Sequence, residues 1–203
     1  MNKRLAGSIA AGALTALVLG VPAFAALERG ATAPGFTAEA SQAGNEFTFS
    51  LKDALKKGPV VLYFYPSAFT GGCDLEAHTF ATDRDKFDAA GATIIGVSAD
   101  SIERLKAFSS DPKYCAGKFP VASDADGKIA ASYDLQPVKG KPGMTDVRGV
   151  AIDHDFIPRT TYVIASDGRI VATLSSQADH LSPDQHVKKS LAIVQGMQAG
   201  KTP

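Results

Sequence analysis

The sequence predicts one α/β domain built on a mixed central sheet flanked by helices. Three observations carry this. Two short apolar runs, 60–65 and 93–97, read as buried strands, and each is followed by a helical segment. Late in the chain Asp167-Gly168 separates two strand-like runs, the strongest short-range hairpin signal. A closing helix then opens on its own start signal at Ser182.

Taken in order, residues 1–25 have the layout of a secretory signal peptide. Lys3 and Arg4 form a basic start, the stretch 5–21 is apolar and uncharged, and Ala23-Phe24-Ala25 is a small-x-small cleavage site. Gly12 and Gly20 break the apolar run, which is short for a membrane span. The expectation is a periplasmic or otherwise exported protein cleaved after Ala25, whose mature part, 26–203, is a single domain with no membrane-spanning stretch. Residues 26–57 read as an irregular or hairpin lead-in. Phe47, Phe49 and Leu51 alternate with polar residues at the period of a half-buried strand, Gly44-Asn45 precede them as a turn, and 51–57 reads as a short helix ended by Gly58-Pro59.

The stretch 60–78, VVLYFYPSAFTGGCDLEAH, organises the rest. Its apolar run ends at Pro66, which has no N–H for a strand ladder. Gly71-Gly72 then turn the chain, and Cys73 falls in the first turn of a helix. A thiol there faces unpaired N–H groups and the positive end of the helix dipole, which favour thiolate. Phe80 and Phe87 face the core from this helix, and Gly91 ends it. After the strand at 93–97, Asp100 and Glu103 read as a capping box for a helix carrying Ile102, Leu105 and Phe108, broken by Asp111-Pro112. Residues 128–135 read as a short helix, and 136–158, with three prolines and three glycines, as the longest loop. Strands follow at 160–165 and 169–174. Ser182, Pro183 and Gln185 start the final helix, with Val187, Leu191 and Val194 as its apolar stripe.

Composition narrows the function classes. In 203 residues, Lys plus Arg and Asp plus Glu are 21 each, so no concentrated basic field points to nucleic acid or an anionic membrane. An exported chain with two cysteines is ordinarily read as carrying one structural disulfide, here Cys73–Cys115 as a staple. The setting of Cys73 after a buried strand and at a helix start points instead to chemistry. His78, His154, His180 and His186 lie in no metal-ligand spacing with the cysteines; His78 reads as a helix-surface residue and Asp153-His154-Asp155 as polar loop.

Pro66, Thr70 and Cys73 resemble the P-x-x-x-T-x-x-C motif of the peroxiredoxins (the AhpC/TSA superfamily), and Arg159 in PRTTYVI resembles the arginine that opens a late strand there. The resemblance spans about 30–199. It is nearest to the bacterioferritin comigratory, or Q-type, branch, because Glu76 stands three residues after the cysteine. His78 stands where many of that branch carry a second cysteine, and Asp74 replaces a common threonine. The resemblance implies a thioredoxin-like fold and a thiol-dependent peroxidase acting on hydrogen peroxide and organic hydroperoxides. Cys73 is then the attacking thiol. Thr70 donates its hydroxyl to the sulfur or the peroxide, Pro66 walls the pocket, and Arg159 stabilises charge, with Glu76 as its possible support. Cys115 resolves the sulfenic acid as an intramolecular disulfide. The resemblance implies no cofactor or metal, a thioredoxin-like or other thiol reductant as partner, and a monomer or dimer. An envelope thiol–disulfide or copper-handling protein of the same fold is the alternative, and the lack of any C-x-x-C or C-x-x-x-C pair counts against it.

Overall fold

In a computed structural model, which describes residues 26–200, seven strands form one mixed sheet. The predicted signal peptide lies outside the described residues. The chain runs β1 (Thr37–Gln42), β2 (Asn45–Ser50), α1 (Leu51–Leu55), β3 (Val60–Phe64), α2 (Gly71–Ala89), β4 (Thr93–Ser98) and α3 (Ile102–Ser110). It continues through β5 (Val121–Ser123), α4 (Lys128–Ser132), β6 (Thr160–Ile164), β7 (Ile170–Ser175) and α5 (Pro183–Gln198). The spatial order is β2-β1-β5-β4-β3-β6-β7, with β3–β4 and β4–β5 parallel and β3–β6 and β6–β7 antiparallel. No described helix is long and apolar enough to cross a membrane.

All five residues of central strand β3 are buried, so its continuous apolar run reflects two covered faces. Alternate side chains leave in opposite directions. Val61 and Tyr63 join Phe80, Phe87, Val163 and Val187 in one core; Val60, Leu62 and Phe64 join Ile95, Val97, Tyr133 and Tyr162 in the other. Gly96 lies opposite Tyr63 across the β3–β4 pair, and a Cβ there would come within 2.6 Å of the tyrosine ring. Only glycine leaves room for that ring.

Several local expectations shift. The lead-in is the β1–β2 hairpin, turning at Ala43-Gly44, both at positive φ. Phe49 is buried but Phe47 is exposed, and Leu51 begins α1, where the short helix was expected. Asp100 does not cap α3. Ser101 does, accepting the Arg104 amide at 3.3 Å, because the Asp100 carboxylate is engaged in the interior. Helix α4 is shorter than predicted. The closing helix matches its start signal: Gln185 accepts the Ser182 amide at 2.9 Å, and Val187 and Val194 are fully buried.

Candidate active site

The site forms where β3 ends and α2 begins. Thr70 is the extended residue before α2, so Cys73 occupies the third helical position, within the turn whose N–H groups have no intrahelical acceptor. Cys73 is 2% exposed. Strand β6 brings the second component. Thr160 pairs with Phe64 in the antiparallel β3–β6 ladder, which places the preceding residue, Arg159, beside the loop that leaves β3. Arg159 Nη2 reaches Cys73 Sγ at 3.2 Å, while Nη1 makes an ion pair with Glu76 Oε2. Gly72 permits this approach: a Cβ there would stand 3.3 Å from Nη2 and 3.4 Å from Pro183 of α5.

Glu76, which the resemblance offers as a support for Arg159, makes that pair; its burial was not legible. It is fully buried, and one oxygen, Oε1, has no hydrogen-bond partner. Burial pushes its carboxyl up to about 7 against the pull of Arg159. Burial works against the Arg159 charge as well, but Glu76 and Cys73 outweigh it and hold the guanidinium protonated. Cys73 is subject to the same contest. Here burial wins and leaves the thiol above its ordinary value, although Arg159 and the Ser67 backbone amide pull it down. These donors oppose the burial that favours the neutral sulfur, so the reactive thiolate depends on them.

Thr70 does not donate as expected. Its hydroxyl proton goes to the Ser67 carbonyl at 2.7 Å, which leaves the oxygen's lone pairs as the available function. Pro66 is half-buried beside the loop. Cys115 is fully buried in the same core cluster as Cys73, and both are free thiols. Burial, then Asp74 and Asp111, push the Cys115 thiol well up, so it rests protonated. Its neighbour Tyr114 stacks on Phe108, with centroids 5.2 Å apart, and meets Phe69 of the active-site loop edge-on at 5.3 Å. His78 is exposed, as expected, with Nδ1 3.1 Å from the Lys113 carbonyl. His186 is buried and bridges the Thr161 and Ser176 hydroxyls at 2.9 and 3.0 Å.

One reading is overturned. His154 is not merely a polar loop residue: its Nε2 lies 2.9 Å from the buried carboxylate of Asp100. Ser67, Asp100, Arg104 and Asp146, none of them singled out as site residues from the sequence, form the structure behind the active-site loop. No local pattern could have revealed them, because the partners are distant in sequence. Among the described residues no three His, Cys, Asp or Glu side chains converge as a metal-holding cluster.

A buried cysteine at a helix start, faced by an arginine from an adjacent strand of a thioredoxin-like sheet, defines a thiol-dependent peroxidase. The chain belongs to the AhpC/TSA family, whose profile matches residues 29–173. Chloroplastic peroxiredoxin Q of Sedum lineare is 32% identical over 176 residues, covering 86% of this chain and 82% of that protein. The crystal structure of the peroxidoxin BcpB from Mycobacterium tuberculosis superimposes with a TM-score of 0.68 at 28% identity, covering 84% of this chain and 98% of that one. Peroxiredoxin Q of Xanthomonas campestris does so with a TM-score of 0.60 at 26% identity, over 79% and 90%.

Proposed function

We propose that Cys73 is the thiol that attacks the peroxide and Cys115 the thiol that resolves the product within the same chain. The observation that carries the first assignment is the Arg159 fork, with one nitrogen on Cys73 Sγ and the other on Glu76. The Cys73 thiolate attacks the terminal oxygen of a hydroperoxide. An S–O bond forms as the O–O bond breaks, and the departing alkoxide or hydroxide takes a proton to leave as alcohol or water. Arg159 meets the negative charge that builds on the leaving oxygen, where a fixed donor contributes most. Thr70, its own proton committed to Ser67, accepts the peroxide O–H and so orients the substrate. Cys73 is left as sulfenic acid.

The Cys115 thiol then condenses with the sulfenic acid, forming the disulfide and releasing water. A dithiol reductant, thioredoxin-like in the simplest case, restores both thiols by exchange. Formation of the bridge requires the Tyr114 contacts with Phe69 and Phe108 to open, because both cysteines are buried in the reduced state. The basic start, apolar run and Ala23-Phe24-Ala25 site support export with removal of 1–25.

Stopped-flow oxidation of reduced protein by hydrogen peroxide, with intact mass before and after, tests both assignments. Cys73→Ser should abolish peroxide consumption with the fold intact; retained turnover would sink that role. Cys115→Ser should consume one equivalent and then stall as sulfenic acid. A disulfide-linked dimer as the main product of the parent would move resolution to another chain.

A further inference from the structure

Behind Cys73 the chain 66–70 is held by a buried charged network that the chemistry above does not use. Asp100 is fully buried and meets four hydrogen-bond donors and the Arg104 guanidinium as an ion pair. Oδ1 lies 2.8 Å from the Ser67 hydroxyl, 2.9 Å from Arg104 Nε and 2.9 Å from His154 Nε2. Oδ2 accepts the Ala68 amide at 2.7 Å and the Ser98 hydroxyl at 2.7 Å. Arg104 also donates to the Ala68 carbonyl at 3.0 Å. So the Ser67 side chain and both polar groups of the Ala68 backbone are fixed from behind. The two backbone groups of Ser67 remain, and both serve the site. Its carbonyl takes the Thr70 proton, and its amide favours the Cys73 thiolate.

His154 brings the long 136–158 loop into the same network. Its Nδ1 faces the Asp155 carbonyl and its Nε2 the Asp100 carboxylate, each at 2.9 Å. Both partners are acceptors, so the doubly protonated ring satisfies both. Nearby in the loop, Asp146 pairs with Arg104 at 2.8 Å, Arg148 lies 3.3 Å above the Phe69 ring, and Val147 donates to the Phe69 carbonyl at 3.0 Å. Phe69 itself has φ +59°, a left-handed conformation that an aromatic residue holds only when its surroundings enforce it.

We propose that Asp100, clamped by His154, is a positioning residue for the peroxidase reaction: it orients the Ser67–Ala68 segment, whose Ser67 carbonyl holds the Thr70 hydroxyl at the start of the Cys73 helix. This rests on Cys73 being the reacting thiol. Asp100→Asn keeps the shape but turns one acceptor into a donor facing donors. His154→Ala removes the clamp from the loop, and Ser67→Ala removes the hydroxyl while keeping the amide. Each reduced protein is mixed with hydrogen peroxide in stopped flow. In parallel, iodoacetamide labelling of Cys73 is followed against pH by peptide mass.

The expected result is a fall of about tenfold or more in the peroxide rate constant for Asp100→Asn, and smaller falls for the other two. The Cys73 labelling profile should move to higher pH in the same order, a tenfold loss of thiolate corresponding to about one pH unit. A purely structural role would lower the melting temperature and leave the labelling profile of the folded protein where it was. Parental rate and profile in His154→Ala and Ser67→Ala overturn the inference, and those two variants decide it if Asp100→Asn does not fold. A parent that fails to react with peroxide would instead overturn the role of Cys73 itself.

Discussion

Arg159→Ala is the most informative perturbation, because in the proposed mechanism one side chain serves both the sulfur and the leaving oxygen. At 3.2 Å a full positive charge stabilises a thiolate by about 5 kcal/mol at an effective dielectric of about 20. Glu76 shares that guanidinium, so roughly half of the field is already neutralised. What remains, about 2–3 kcal/mol, corresponds to a rate loss of about two orders of magnitude. The assay is pseudo-first-order oxidation of Cys73 by hydrogen peroxide near pH 7, with circular dichroism to confirm the fold. The cavity variant leaves Glu76 buried without its partner. That carboxyl, already pushed up to about 7, takes a proton and spares the fold. Arg159→Lys keeps a charge but loses the planar fork that reaches both partners, so it should also lose at least tenfold. An Arg159→Ala protein that is folded and reacts within about threefold of the parent would refute the reasoning, leaving Arg159 a structural partner of Glu76 alone.

Glu76→Gln removes the charge that competes for Arg159, so Cys73 labelling should move to lower pH while the peroxide rate falls several-fold because the fork is no longer aimed. Movement of both in the same direction would show that Glu76 acts through charge only. Thr70→Val should lower the peroxide rate by about tenfold without altering the fold, and Thr70→Ser should retain most of it, since a hydroxyl oxygen is what the substrate needs; equal rates for the two would dismiss the hydrogen bond. For His186, burial and then Arg159 depress the imidazole from 6.5 to about 4. The unfolded chain therefore takes up the proton first as pH falls: the neutral ring's contribution is complete above about 6.5 and is lost towards about 4. Urea unfolding at several pH values should show this loss in the parent and less of it in His186→Gln.

Local features of this chain were legible because their causes are local. The spacing from Pro66 through Thr70 to Cys73 sets a strand end, a turn and a helix start within eight residues, and the structure places Cys73 in that first helical turn. The Asp167-Gly168 hairpin and the Ser182–Gln185 start are likewise fixed by neighbours a few positions apart. The choice between Asp100 and Ser101 as the cap of α3 was not. Both residue types suit the position, and the decision came from Ser67, Ala68 and His154, which claim the Asp100 carboxylate from elsewhere in the fold.

The same physical reason limits the reading of the site. An uninterrupted apolar strand such as β3 carries no period that says which side chains face which core, so the sequence determined its burial and the packing helices decided its faces. The family motif named Arg159, but its contact with a sulfur 86 residues earlier exists only because β6 pairs antiparallel with β3 in a register that sets Thr160 against Phe64. The sequence by itself marked Cys73 and its helix, and the motif it carries marked Arg159. The tertiary structure decided that Glu76 is buried rather than solvated, that Thr70 spends its proton on Ser67, and that His154 is tied to the active-site loop, because these depend on which groups the sheet order brings together and which it removes from water.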